Sequence, residues 1–558
     1  MFGMNNTEKA SRPRPAMARA VKGGGVRAAW CAALAVGLFA CSHAFAQTVA
    51  QTAVEKPVYG GTLYAAISPD PAQLNSAFHN QYANAAVSTN VLEGLVSYDQ
   101  NLQPIASLAT AWTVSDDGLT LTFKLREGVT WHDGEPFTAA DVKFNVLEIW
   151  KKLHPRGRTT FAAVQEVRTP DAHTVVLQLS RPSPAILSAL HAGESQVLPK
   201  HLYEGTDIRN NPYNAKPVGT GPFVFKQWVK GEFVELVKNP NYWDSGKPYL
   251  DRLIFRSLPD PASRAAALET GEIQYLPYSG VPFSDVERLR KNKEIALDER
   301  GYSGNSQIYY LKLNVRNPIL ADLRVRQAIS FAIDRKGLLD SVWHGIGSVA
   351  DGPIPPVLAK FYTADKPTYP LDLAKAEQLL DAAGYPRGSD GSRFSVDIDL
   401  SPSADSFGLA GEYIRQNLAR VGIKATTHNY AQAVYIKKIW TDYNFDIILN
   451  GFSTLMDPSM GLSALYWSKS ASPGVPYITA SGYVNPELDA IIENFQKEHN
   501  EPKRIAYFHE FQRIAMRDLP MIPIVNSPYF TLYSTKVHGL DFNPNGARSS
   551  LGNVWLSP

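Results

Sequence analysis

Three short stretches set aromatic rings beside glycine and small polar groups: Tyr59-Gly60-Gly61, Tyr302-Ser303-Gly304-Asn305-Ser306 and Ser481-Gly482-Tyr483. A fourth, Asn450-Gly451-Phe452-Ser453-Thr454-Leu455-Met456-Asp457-Pro458, adds hydroxyls and a carboxylate. Rings supply contact area while hydroxyls, amides and carboxylates fix orientation, so this mixture suits a concave ligand site. The bland alternative is core packing, which we expect for Trp112, Phe123 and Trp228. Catalytic tools are missing. No G-x-S-x-G elbow occurs, since Gly301-Tyr302-Ser303-Gly304 lacks the closing glycine. His-Glu-x-x-His is absent, and His191-Ala192-Gly193-Glu194 reads as a solvated turn rather than a metal pair. Asp116-Asp117 precedes Gly118 in a turn that accounts for both acids. No G-x-x-x-x-G-K-[ST] loop occurs, so ATP is not bound by that route. We expect no enzyme, no cofactor and no metal; an exported hydrolase or a peptide-binding chaperone is the competing class.

These groups sit in a chain of 558 residues, long enough for two or three compact units. Its net charge of +2 excludes a strongly basic nucleic-acid binder. The sum conceals an asymmetry. Residues 1–46 hold Lys9, Arg12, Arg14, Arg19, Lys22 and Arg27 against Glu8, followed by an uncharged run from Ala28 to Cys41. Ala44-Phe45-Ala46 then has the A-x-A form of a signal-peptidase site. A signal peptide over 1–46 is therefore expected, leaving an exported chain of net charge −3 without cysteine, because Cys31 and Cys41 both lie in the leader. Leu38-Phe39-Ala40-Cys41 resembles a lipoprotein box with Phe39 where a small residue is usual. Lipid anchoring at Cys41 is the alternative to the soluble form.

The elements that position the candidate groups follow from periodicity. Gly61–Ile67 reads as a buried strand and Ala83–Leu95 as a helix stopped at Gly94. Leu119, Leu121, Phe123 and Leu125 alternate with polar residues after the Asp116-Asp117-Gly118 turn, giving a half-buried strand. Thr138 and Asp141 predict a capping box for the next helix. Later, strands at 309–315, 394–400, 423–429 and 445–449 alternate with helices at 323–333, 373–383 and 409–421. Asp322 and Asp334 are placed to cap, and 505–515 forms a last helical stripe. This alternation predicts an α/β lobe with part of its sheet parallel, after a hairpin-rich α+β first half.

The string LATAWTVSDDG (108–118), continuing through FKLREGVTWHDGEPFTAADVKF (123–144), resembles family 5 solute-binding proteins, the dipeptide, oligopeptide and nickel receptors of ATP-binding-cassette importers. PVGTGPF (217–223), NPNYWDSGKPYLD (239–251), LRVRQAISFAIDR (323–335), DLAKAEQLLDAAGYP (372–386) and GYVNPELDAII (482–492) extend the match in order. The resemblance implies a two-lobed periplasmic binding protein, type II and cluster C-like. Lobe I would span 47–300, with an extra subdomain at about 91–214, lobe II 301–525, and 526–558 would return to lobe I. It also implies a monomeric receptor for a peptide or other small polar solute, with permease and ATPase subunits as partners.

In peptide-binding relatives an Asp of lobe II, a few residues before an acid-Pro pair, holds the ligand's α-amine. The matching position here is Thr454, and Asp457-Pro458 is retained. A neutral hydroxyl cannot make the charge-assisted bond an ammonium favours. Ordinary peptide amino termini are therefore poorly served unless Asp457 substitutes. Nickel is weakly supported, for want of a histidine cluster. The candidate contacts are Ser68, Tyr302, Asn305, Phe452, Ser453, Thr454, Asp457 and Tyr483.

Overall fold

The apolar strand Thr62–Ile67 lies at the middle of a seven-stranded sheet. It runs parallel to Arg252–Ser257 on one side and to Tyr275–Leu276 on the other. Burial on both sides explains its continuous apolar sequence, since parallel central strands expose neither face. In a computed structural model the residues described are 56–558 apart from 80, 405 and 528. The expected signal peptide 1–46, with Cys31 and Cys41, lies outside the described residues. Among those described, no helix is long and apolar enough to cross a membrane.

Outward from the centre, Phe233–Lys238 and Phe223–Val229 complete one side of this sheet; Thr531–Ser534 and Ile295–Asp298 complete the other. A separate four-stranded antiparallel sheet orders Ala109–Val114, Thr120–Leu125, Thr174–Leu179 and Val164–Asp171. Gly118, with φ +68°, makes the predicted turn between its first two strands. The helix Ala139–Phe144 opens with the predicted capping box, in which Asp141 Oδ2 accepts from Thr138 N at 2.9 Å.

The second large sheet has six strands. Phe394–Leu400, Ile423–Asn429 and Ile447–Ser453 run parallel, linked by the helix Ser406–Arg420 and by the helical turns of 432–441. Gln307–Leu313, Met521–Ser527 and Ser348–Val349 join them antiparallel. Alternation puts Tyr309, Leu311, Ile398 and Leu449 on one face beneath the helices Leu323–Ala332 and Arg335–Trp343. Tyr310 takes the other face, under Pro486–Lys497 and Glu501–Asp518. Asp322 and Asp334 cap as expected, accepting from Arg324 N and Gly337 N.

Two elements differ from expectation. The helix predicted over 83–95 spans only Tyr82–Ser88. Thr89 Oγ1 and Asn90 Nδ2 fold back onto the carbonyls of Ala85 and Ala86, which competes with helix continuation. Carbonyls 90 and 91 are then taken by Phe223 N and Gly221 N. The strand predicted to stop at Leu449 continues through Asn450-Gly451 to Ser453, because Gln307–Tyr310 pairs with it to the end.

The PVGTGPF segment is scaffold. A Cβ on Gly219 would lie 1.7 Å from the Val91 carbonyl oxygen, so only glycine permits the approach. Thr220 Oγ1, Tyr242 OH and Trp243 Nε1 all donate to the buried Glu93 carboxyl, at 2.7, 2.9 and 2.9 Å. His132 Nδ1 accepts from Gly219 N, which leaves its Nε2 to donate to the Gly221 carbonyl at 3.0 Å.

Candidate functional site: the crossings between the sheets

The chain passes between the two large sheets twice, from Asp298 to Gln307 and from Ser527 to Thr531. The first crossing contains a 3₁₀ turn, Ser303–Asn305, tied down by Gly304 N to the Pro544 carbonyl at 2.9 Å. A side chain on Gly304 would run into Met456 and Pro544, so the small-residue signature of this stretch reflects close packing. Tyr302 OH bridges to the second crossing at Thr531 Oγ1, 2.7 Å, and accepts from Tyr278 N at 3.1 Å.

Around this bridge stands a group of tyrosines. Tyr278 packs against Tyr82, Tyr302 and Tyr529 with ring centroids 3.7, 5.2 and 4.7 Å apart. Tyr278 and Ser279 both have positive φ, +60° and +51°, an uncommon pairing for residues with side chains. Ser279 N to the Phe530 carbonyl, and Phe530 N to Ser279 Oγ, hold that conformation. Asn305 Nδ2 donates to Tyr278 OH at 3.2 Å, and the Ser453 hydroxyl reaches Tyr529. Burial pushes the phenols of Tyr82 and Tyr302 well above their ordinary value, so they stay protonated. The Tyr82 hydroxyl is buried without a hydrogen-bond partner.

Behind the tyrosines lies a cluster of charges. Arg156 engages the buried Glu194 with two nitrogens. Burial alone would raise Glu194, yet Arg156 and the neighbouring imidazoles hold it at about 2. His154 and His191 are driven down to about 4 by burial and are neutral at pH 7. The sequence expectation of a solvated turn at His191–Glu194 is therefore corrected: both side chains are buried, with Glu194 serving as counter-charge. Arg548 completes the cluster, bonding Tyr278 and within the field of Glu194, while its Nε is buried and unpartnered.

The structure brings Tyr302, Asn305 and Ser453 together at the crossings. Ser68 is half-buried at the carboxyl end of the central strand. Phe452 is half-buried and packs beside Gly461 at the edge of the core under the helices 486–518. Tyr302 and Asn305 already spend polar atoms internally, and so do the remaining three. Thr454 is fully buried, its N and Oγ1 both donating to the Ser306 carbonyl at 2.7 and 3.0 Å. Asp457 is buried against Arg504, with contacts of 2.7 and 2.8 Å, and also accepts from Ser459. Tyr483 OH donates to Asp518 Oδ2 at 2.6 Å. Sequence reasoning missed Tyr82, Tyr278, Tyr529 and Arg548. Tyr278-Ser279-Gly280 carries the same ring-beside-glycine signature as Tyr302-Ser303-Gly304 and could have been found by it.

A cavity of about 320 Å³ lies between Tyr98, Leu102 and Leu187 on one side and Phe361, Arg504 and Ile505 on the other. Among the described residues no group of three or more His, Cys, Asp or Glu is placed to hold a metal ion.

Two α/β lobes joined by paired chain crossings, with polar groups collected where the chain crosses, define a bilobal solute-binding protein. The chain belongs to the bacterial extracellular solute-binding proteins, family 5, whose model matches residues 103–474. It is similar to a glutathione-binding protein, GsiB, of Salmonella paratyphi A, 30% identical over 92% of this chain and 96% of the relative. Among solved structures it resembles HbpA2 from Haemophilus parasuis, with a TM-score of 0.77 at 26% identity, covering 89% of this chain and all of that one. It also resembles the binding protein AgaA of A. tumefaciens R10 in complex with agropinic acid. There the TM-score is 0.71 at 27% identity, covering 89% of this chain and 99% of that one. The protein is thus the solute-binding receptor of an ATP-binding-cassette importer, of a family found in the periplasm or outside the cell.

Proposed function

We propose that the mature chain is a monomeric, soluble periplasmic receptor that binds a small peptide-like or conjugated acid at the crossings and does not turn it over. The carrying observation is the group of protonated tyrosines set around the Tyr302–Thr531 bridge. Ligand seated there touches both lobes, so it stabilises the closed form by its differential affinity and presents both lobes to the permease. Lobe I is taken as 47–300 with the return segment 526–558, lobe II as 301–525, and the extra subdomain as about 91–214. The sheet memberships of Thr531–Ser534 and Ala109–Leu179 support that division. Of the sequence candidates, Tyr302, Asn305 and Ser453 are proposed as contacts, with Ser68 and Phe452 at the margins. The names of the similar proteins, glutathione and agropinic acid, point to peptide-like and conjugated acids as the first ligands to try.

Thermal shift and calorimetry on the chain from Gln47, with glutathione, dipeptides, opine conjugates and sugars, test the reading. A true ligand at 100 times its Kd adds about 2.7 kcal/mol of stability. It should be recovered chemically unchanged after overnight incubation. Consumption of the ligand would establish a hydrolase instead. Stabilisation by unfolded polypeptides alone would establish a chaperone.

A further inference from the structure

Away from the crossings, the two lobes also touch at a hairpin. The strands Val96–Tyr98 and Pro104–Ala106 of lobe I are joined through residues 99–103. The Asp99 carboxylate accepts from Asn101 N and Gln103 N at 2.9 and 2.8 Å, and Leu102 N donates to the Asp99 carbonyl. Within this turn Leu102 has φ +61°, a left-handed conformation that favours glycine or asparagine and is rare for a bulky side chain. The hairpin gives no reason for a leucine there, but its surroundings do. Half-buried, Leu102 packs against the apolar clusters of both lobes: that of Tyr98 and Leu190 on its own side, and that of Phe361, Tyr466 and Phe508 in lobe II. The exchange is reciprocal, since Met456 of lobe II lies buried in the cluster of lobe I and Met460 packs against it. Nearby, His499 Nε2 of lobe II donates to the Asp116 carbonyl at 2.9 Å, and its ring lies against Gly118. These contacts leave space: the cavity of about 320 Å³ lies among them, walled by Tyr98 and Leu187 from lobe I and by Phe361 and Ile505 from lobe II. A permanent interface closes to the density of a core, whereas a loosely filled one can part and re-form.

We propose that the 98–104 hairpin is a clasp between the lobes, with Leu102 as its catch, and that it sets how often lobe II closes on lobe I. Backbone strain at the tip is retained because the side chain is needed for a contact outside the hairpin. Leu102 is a positioning residue, which acts by weighting the closed form rather than by touching ligand. This deepens the receptor reading and rests on its division of the chain into two lobes.

The test uses the chain from Gln47, which has no cysteine of its own. Asp116→Cys and Lys497→Cys put one thiol on each lobe beside the His499 contact, both at exposed positions. The rate at which a short bis-maleimide joins them, without ligand, reads how often the lobes meet. Thr113→Cys with Thr122→Cys, directly opposite each other on paired strands, gives the rate for a fixed contact. Leu102→Gly keeps the turn, because glycine adopts its φ freely, and removes the catch. Cross-linking of the 116/497 pair should then slow on the order of tenfold, the weight of one half-buried apolar side chain. Leu102→Met should stay within about threefold of the native rate. The melting temperature of Leu102→Gly should stay within about 3 °C of the native value, since relief at the turn offsets lost packing. A rate unchanged in Leu102→Gly, with the pair slower than the fixed control, overturns the clasp and leaves the two lobes in place. A rate equal to the control in every variant shows one rigid body and overturns the clasp and the lobe division together. Slowing that accompanies a large fall in melting temperature makes Leu102 a packing residue and likewise overturns the clasp. Should Leu102→Gly fail to fold, Leu102→Asn, which also tolerates the left-handed turn, carries the same comparison.

Discussion

Two arginines, Arg504 buried and Arg548 half-buried, stand in contrasting condition. Arg504 has a partner on every nitrogen: Nη1 and Nη2 meet Asp457, Nη2 also donates to Ser459 Oγ, and Nε donates to the Phe495 carbonyl. Arg548 has a phenol, a shared carboxylate and an unpartnered Nε. The two groups are chemically identical, so the difference lies in what the fold supplies around them. A polar contact completed within the chain holds architecture, whereas an unmade one leaves a buried donor whose desolvation is not repaid. The sequence draws attention to Asp457, the saturated partner, and passes over Arg548.

The strongest way to break that contrast is Asp457→Asn. Arg504 would keep its burial and lose its counter-charge, so urea unfolding at pH 7 should show a loss of about 3–5 kcal/mol. Burial alone would raise the Asp457 carboxyl, but Arg504 and Ser459 hold it below the usual range. Its stabilisation is therefore full above the ordinary aspartate value and disappears as the pH falls through the folded value. The gap between variant and native should close on acidification below about pH 4. A variant as stable as the native chain that fails to bind glutathione would make Asp457 a ligand group and reverse the comparison.

Glu93 supplies an intermediate case, a fully partnered acid whose burial still dominates. Desolvation lifts it from 4.5 to about 7 against the pull of Trp243, Thr220 and Tyr242. The folded chain holds a proton there that the unfolded chain has released, so stability declines as the pH rises from 4.5 through 7. The full excursion amounts to about 3 kcal/mol. Glu93→Gln should flatten that slope, matching the native chain near pH 5 and exceeding it at pH 8. A slope unchanged in the variant would place the titrating group elsewhere.

Lys312 tests the same logic with a cation. It is fully buried, bonds the Ile478 carbonyl at 3.3 Å, and burial lowers it to about 7. Its cost is one of desolvation, greatest at low pH and relieved as the pH climbs towards the unfolded value near 10.5. Lys312→Met should raise stability at pH 7 by about 2 kcal/mol, with the gain shrinking in alkali. A loss of stability instead would show that the single hydrogen bond outweighs desolvation.

Local chemistry made much of the fold legible. The Thr138 capping box, the Asp116-Asp117-Gly118 turn and the caps at Asp322 and Asp334 are decided by neighbours in sequence, and all formed. The helix after Tyr82 and the strand after Leu449 were misjudged because distant segments set their ends: the 217–223 loop in one case and strand 307–313 in the other. The crossing cluster was harder still. Its members come from positions 82, 278, 302, 529 and 548, and no local pattern announces that Tyr278 will meet Tyr529 or that Arg548 will bond Tyr278. Only the shared habit of a ring next to glycine hints at it.

Thr454 gives the smallest effect and the finest discrimination. The family resemblance places it where peptide receptors hold the ligand's amine, yet its backbone N–H and its hydroxyl both donate to one carbonyl, that of Ser306, in a fully buried site. Thr454→Val keeps the shape and removes one of those two bonds, so unfolding should be easier by about 1 kcal/mol. Affinity for Gly-Tyr should stay within about twofold, because a bond satisfied inside the chain adds nothing to the ligand. A tenfold loss of affinity without loss of stability would move Thr454 from the saturated class to the incomplete one. The loop 453–457 would then belong with the crossings in the proposed binding surface.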